Sequence, residues 1–271
     1  MNYKSKIIIH LSVFVVIACS SGVVKKYNID QVLTLSSIAE NGSSSKFNTL
    51  LLASEPLQKK TGVVLLHGRG GHPNTAVVRQ LRNDLFHRGY VTLSIQEPVP
   101  AGYEEGSGEK PPFQEYIDDI DAGNNVFPEL YARVRSALNY LQRRGVRRVV
   151  LIGFSMGSRM AVAHLANGRI NEIPIVGLIG VGMYANSIVP LNVGLMIRHV
   201  DVPVLDIYGD ADTHAATTAL FRKESYEKSG AGPNIAQHVL VCGLSLTTNA
   251  CHKLVGLKGT SDARLETIVA A

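Results

Sequence analysis

The sequence is poor in charge, and several features that would place it in large functional classes are missing. Charged residues make up 18% of the 271, below the roughly 25% usual for soluble domains. The formal net charge of +5 comes from lysines and arginines scattered along the chain. The basic stripe of a nucleic-acid binder is therefore absent, and no nucleic-acid partner is expected. Neither end carries a dominant acidic or basic block, and there is no internal repeat or low-complexity tract. Cysteine is scarce, at three residues. What remains is a 45% hydrophobic chain, long enough for one sizeable domain and a short extension.

The extension is at the start. Lys4 and Lys6 precede a mostly apolar run from Ile7 to Ala18, broken only by His10 and Ser12. The run is too short for the about 20 residues that span a bilayer, but it suits the central region of a signal peptide. A membrane anchor or a buried helix is the competing reading. The run ends Val16-Ile17-Ala18-Cys19, which resembles the lipobox of bacterial lipoproteins. That resemblance implies cleavage after residue 18 and lipidation of Cys19, with the mature protein facing the periplasm. A plain signal peptide cleaved nearby, giving a soluble periplasmic or secreted protein, is the alternative. Residues 19–30 read as a tether, and 31–271 as one domain. In an oxidising compartment Cys242 and Cys251 could form a disulfide, or they could be two buried thiols.

Two strand-like runs, Val32–Ile38 and Phe47–Ser54, flank the turn-forming Glu40-Asn41-Gly42-Ser43-Ser44-Ser45, as in an antiparallel hairpin. From residue 62 strands alternate with helices. Strands are expected at Gly62–Leu66, Tyr90–Ile95, Arg148–Gly153, Ile175–Val181, Val202–Tyr208 and Ala236–Gly243. Helices are expected at Thr75–Arg88, Phe127–Arg144, Met156–Ala166, His214–Lys228 and Ser261–Ala270. Such alternation implies right-handed crossovers and a parallel sheet covered on both faces. Residues 97–129 break the rhythm, with nine acids against the single base Lys110. They read as a solvated surface loop, or as a flap beside the active-site mouth that would disfavour anionic substrates.

Gly153-Phe154-Ser155-Met156-Gly157 matches G-x-S-x-G and lies where a predicted strand hands over to a predicted helix, the context of a nucleophile elbow. A turn that tight leaves no room for flanking Cβ atoms, and the helix N-terminus offers N–H groups to a developing oxyanion. Upstream, the strand Gly62–Leu66 runs into His67-Gly68-Arg69-Gly70-Gly71. No Gly-Lys-Ser/Thr follows it, which disfavours a phosphate loop.

Together these features resemble the α/β-hydrolase superfamily over roughly residues 30–271. The resemblance implies an α/β fold with a mostly parallel eight-stranded sheet, an N-terminal antiparallel hairpin and helices on both faces. With residues 182–201 too few for a large cap domain, an open site follows. The stretch from Val63-Val64-Leu65-Leu66-His67-Gly68 through Leu93-Ser94-Ile95-Gln96 looks like an uncharacterised bacterial group of predicted serine hydrolases. A looser similarity is to dienelactone hydrolases, whose nucleophile is cysteine. By this resemblance Ser155 is the nucleophile, and the N–H groups of Met156 and Arg69 form the oxyanion hole, with Gly68 or Gly70 as other candidates for the second donor.

The family pattern Gly-x-x-Asp after strand seven picks Asp212, with Asp210 as the alternative. An aspartate in such a loop ordinarily serves a turn or a helix cap. Of nine histidines, His252 falls where the family places its base, between the last strand and the final helix. If Cys251 pairs with Cys242, the bridge would pin that loop. The implied chemistry is ester hydrolysis of a small-molecule or acylated substrate, with no cofactor or metal. The competing class is a non-catalytic envelope lipoprotein that uses the fold for binding or scaffolding.

Overall fold

The computed structural model describes residues 30–39, 42–100, 102–110, 128–167, 173–185, 192–228, 235–242 and 247–254. The signal-like segment with Cys19, the tether before residue 30, the acids between residues 111 and 127 and the expected last helix lie outside them. Eight strands form one sheet: β1 (Gln31–Ile38), β2 (Ser44–Leu52), β3 (Thr61–Leu66), β4 (Val91–Ile95), β5 (Arg148–Phe154), β6 (Ile175–Val181), β7 (Val204–Gly209) and β8 (Ile235–Leu240). The helices are α1 (Ala76–His87), α2 (Pro128–Arg143), α3 (Met156–Ala166), α4 (Val193–Met196), α5 (Thr213–Thr217), α6 (Ala219–Glu227) and α7 (Thr248–Lys253), with a 3₁₀ turn at Ile197–His199.

The sheet order is β1-β2-β4-β3-β5-β6-β7-β8. Strand β2 is antiparallel to both neighbours, and every later pairing is parallel. This is the expected α/β-hydrolase arrangement. Strand β1 lies at the edge and buries only alternate residues toward its end, whereas β4 is buried at all five positions. The difference follows from coverage: β4 is packed by α1 and α2, with Val91, Leu93 and Ile95 in the core and the buried Thr92 and Ser94 hydroxyls donating to the Arg82 and Pro73 carbonyls.

The alternation of β3 divides the core. Val64 and Leu66 join Leu130, Val134, Leu138 and Leu141 of α2 and Met160 of α3 on one side. Val63 and Leu65 join Val77, Val78, Leu81 and Leu85 of α1 on the other. Glycine stops both long helices in the left-handed region, Gly89 at φ 88° after α1 and Gly145 at φ 88° after α2. Between β6 and β7 the described residues form only α4 and the 3₁₀ turn, so no cap domain stands there among them.

One expected helix is divided. His214–Lys228 is two helices, broken at Thr218, whose φ and ψ are −106° and 3°. The Thr217 hydroxyl donates to the Thr213 carbonyl at 2.5 Å and that of Thr218 to the His214 carbonyl at 3.0 Å. From the end of α5 these side chains reach back to the carbonyls of its first two residues, a competition with the helix ladder that is typical of threonine.

Candidate active site

Ser155 joins β5 to α3 at φ 54° and ψ −114°. Positive φ is costly for a residue with a side chain, by about 1–3 kcal/mol, so surrounding contacts must impose it. They do. The Ser155 N–H donates to the Val181 carbonyl at 2.8 Å, and the Ser158 hydroxyl donates to the Gly153 carbonyl at 2.6 Å. A Cβ on Gly153 would overlap the backbone of Gly157 and Ser158, and one on Gly157 would stand 2.5 Å from the carbonyl oxygens of Leu66 and His67. Both glycines are thus set by close backbone approach. Met156 opens α3, where the first N–H groups have no partner within the helix.

The turn after β3 is wedged against this elbow. A Cβ on Gly68 would lie 3.3 Å from the Ser155 Cβ and 3.1 Å from the Phe154 ring. His67 fixes the turn from beneath. Its Nδ1 bonds the Gly68 carbonyl at 2.8 Å, and its Nε2 accepts the Glu97 N–H at 3.1 Å and meets the Gln96 amide nitrogen at 3.0 Å. This pattern requires a neutral ring with the proton on Nδ1. Burial lowers the His67 pKa to about 4, against the opposing bond to Gly68 and with help from the nearby charges of His72 and Arg133.

Glu97 lies beside it, buried, with Oε2 at 3.6 Å from His67 Nδ1. Burial raises its carboxyl well above the usual range, although the Arg133 guanidinium pulls the other way. Arg133 bonds the Gln96 carbonyl at 3.1 Å and reaches Glu105 and Glu129 at 2.5 and 2.8 Å. The elbow therefore rests on a buried polar layer.

On the far side of Ser155, His252 Nδ1 is 2.6 Å from Asp212 Oδ2. Asp212 is fully buried, and its Oδ1 accepts the N–H groups of His214 and Ala215, both at 3.2 Å, capping α5. Burial by itself would raise its carboxyl. The bond and charge of His252 and the two N–H donors outweigh burial and hold the pKa below the usual value. Asp210, the alternative, is exposed and accepts the Cys242 N–H at 2.9 Å instead. His252 sits on α7, which the Thr247 hydroxyl caps and Leu254 ends at φ 52°. Its ring is 5.3 Å from that of Phe154. Cys242 and Cys251 are joined as a disulfide, Cα to Cα 5.6 Å, so the crosslink ends one residue before His252.

A cavity of about 250 Å³ brings the candidates together. Ser155 and His252 line it with Met156, Gly68 and Arg69. Ser155 and His252 thus come from chain segments almost a hundred residues apart, and Asp212 stands behind His252.

The family described as "Protein of unknown function (DUF3530)" matches residues 37–249. The chain belongs to the DUF3530 family. No protein of curated function matches its sequence. Among solved structures it is similar to an esterase from Pyrococcus furiosus, at 17% identity and TM-score 0.57 over 84% of this chain and 85% of that one. It is similar to a dienelactone hydrolase from Anabaena variabilis, at 19% identity and TM-score 0.54 over 89% and 94%. A cold-adapted esterase from an Arctic intertidal metagenomic library gives 18% identity and TM-score 0.58 over 78% and 85%. At these identities the likeness shows a shared α/β-hydrolase fold.

Some features of this DUF3530 site were not visible in the residue pattern. Glu97 counted only as one acid of a polar segment, yet it lies under the elbow. A signal was there: it lies two residues past β4, a strand buried at every position. Arg159 also lines the cavity, from the buried face of α3. Its spacing of four from Ser155, one helical turn, is the clue that could have found it.

Proposed function

We propose that the chain is a serine hydrolase acting on carboxylic esters. The observation that carries this reading is the 2.6 Å His252–Asp212 contact on the cavity lined by Ser155 at positive φ. In this mechanism His252 Nε2 takes the Ser155 proton as Oγ attacks the ester carbonyl. The same nitrogen then protonates the leaving alcohol, and water repeats the cycle on the acyl-enzyme. Asp212 orients the ring through Nδ1 and stabilises its charged form. The N–H of Met156 and one from the Gly68–Gly70 turn, with Arg69 the positional match, bind the oxyanion. The mixture of esterases and dienelactone hydrolases among the structural neighbours supports acyl chemistry on a small substrate.

We place the enzyme in the bacterial envelope, anchored through a lipid on Cys19 and facing the periplasm. The lipobox-like sequence supports this, as does the Cys242–Cys251 crosslink, since disulfides persist outside the cytoplasm.

A fluorophosphonate probe on the purified mature chain is expected to label Ser155, with labelling lost in Ser155→Ala. Absence of label on the wild-type chain, beside a serine hydrolase that labels normally, would sink the reading in favour of a non-catalytic lipoprotein. For the anchor, radiolabelled palmitate is expected to be incorporated and to be lost in Cys19→Ser; equal incorporation by both would overturn it.

A further inference from the structure

Behind the His252–Asp212 contact lies a buried ion pair that the hydrolytic mechanism does not use. Arg222 of α6 and Asp206 of β7 are both fully buried, with Arg222 Nη2 2.8 Å and Nε 2.9 Å from Asp206 Oδ2. The same oxygen accepts the Gln237 side-chain amide of β8 at 2.9 Å, and that amide also donates to the Ala219 carbonyl at 2.7 Å. The Tyr208 ring centre lies 5.5 Å from the guanidinium carbon. Such a pair adds little to stability, because desolvation of both charges offsets their attraction. Its placement is more informative than its energy.

The remaining arm of the guanidinium leaves the pair and turns towards α5. Arg222 Nη1 donates to the Ala215 carbonyl at 2.9 Å and to the Thr218 hydroxyl at 2.7 Å. That carbonyl belongs to the Ala215–Ala216 peptide, whose N–H donates to the Asp212 carbonyl at 2.8 Å. The C=O and N–H of a trans peptide point in opposite directions in one plane, so holding one aims the other. Asp212 is thus gripped at its backbone through Arg222, and at Oδ1 by the N–H groups of His214 and Ala215. Its Oδ2 is left for His252. Helix α5 has only five residues, too few to hold itself, and Thr218 breaks it from α6. Arg222 ties this short turn to the sheet.

We propose that Arg222 is a positioning residue for the triad carboxylate: anchored on Asp206 and Gln237, it fixes the Ala215–Ala216 peptide and so sets how Asp212 meets His252. Arg222 acts through α5 rather than on the reacting atoms. Its effect on rate rests on the serine-hydrolase reading; its effect on the Asp212–His252 hydrogen bond does not.

The test compares the mature chain with two variants. Asp206→Leu with Arg222→Met replaces the pair by apolar side chains, an exchange that buried pairs often tolerate without loss of stability. Arg222→Lys keeps a positive charge opposite Asp206, but lysine has no planar fork with which to reach the Ala215 carbonyl as well. On 4-nitrophenyl acetate, kcat is expected to fall about 100-fold in the double variant and about tenfold in Arg222→Lys. KM is expected to stay within about twofold of the wild type, as for a loss felt only in the transition state. Proton NMR is expected to show a far-downfield resonance from His252 Nδ1–H in the wild type, broadened or lost in both variants.

A wild-type kcat in either folded variant overturns the proposal, as does a KM that rises while kcat holds. So does a downfield resonance that survives in both variants or is absent from the wild type. If the double variant does not fold, Arg222→Lys decides alone. The resonance needs no turnover, so the result is separable from fluorophosphonate labelling. A chain that takes no label but loses the resonance in the variants keeps this inference and loses the hydrolase reading. A chain that labels at the wild-type rate in all three forms does the reverse.

Discussion

The two sides of the site are held in place by different physics. The Ser155 side is steric: Gly153 and Gly157 have no room for a Cβ, and a buried layer of His67, Gln96, Glu97 and Arg133 lies beneath them. The His252 side is tethered: a six-residue helix is positioned by one hydrogen bond to Asp212 and one disulfide. Errors in the first side should therefore disturb folding, and errors in the second should disturb chemistry first.

Asp212→Asn is the sharpest probe of the tethered side. The amide keeps an oxygen to cap α5 but presents a donor to His252, inverting the ring's required tautomer. Esterase activity is expected to fall about 10⁴-fold, while the thermal midpoint moves little; a parallel collapse of both would erase the distinction. On the steric side, Gly157→Ala drives a methyl into the carbonyls of Leu66 and His67. A loss of about 3–5 kcal/mol in urea unfolding, or no soluble protein, is expected, and a near-neutral result would show that the elbow can relax.

The smaller effects refine the picture. Removing the crosslink with Cys242→Ala and Cys251→Ala should cost about 2.5–3 kcal/mol by the chain-entropy argument, with activity declining at temperatures where the fold persists. If activity stays constant up to global unfolding, the bridge does not position His252.

Glu97→Gln tests the buried layer through pH. Unfolded His67 takes a proton below about 6.5, but the native ring resists until about 4, so acidification across that window favours unfolding by about 3 kcal/mol. Glu97 acts oppositely: its raised native pKa means that acidification toward the unfolded carboxyl range favours the folded state. The two slopes counter each other in the wild type. Relative to it, Glu97→Gln should lose stability more steeply between pH 6.5 and 4.5, and parallel profiles would show that the pair does not titrate as described.

This contrast also explains what could be read from the residues. The steric side was legible because it consists of pattern: continuous apolar strands, glycines at fixed offsets, and a strand-to-helix junction. The bounds of α3 and β6 coincide with the expected ones. The tethered side was legible only as residue identities in order. Helix α7 has no apolar period to reveal it, its six residues being Thr-Asn-Ala-Cys-His-Lys. Asp212 could be read either as a helix cap or as the partner of the histidine, and it is both, one oxygen for each. The burial of Glu97 depends on what α2 places over the end of β4, through Arg133, and no local pattern encodes that.

Gly209, the last residue of β7, has its Cα directly against the sulfurs: a Cβ there would overlap both Sγ of Cys242 and Sγ of Cys251. The strand end and the crosslink are therefore a three-residue unit. Where the bridge is kept, a larger residue would push it off the strand and carry the neighbouring histidine with it. Glycine at this position thus lets the crosslink seat against the end of β7 and hold the helix that carries His252.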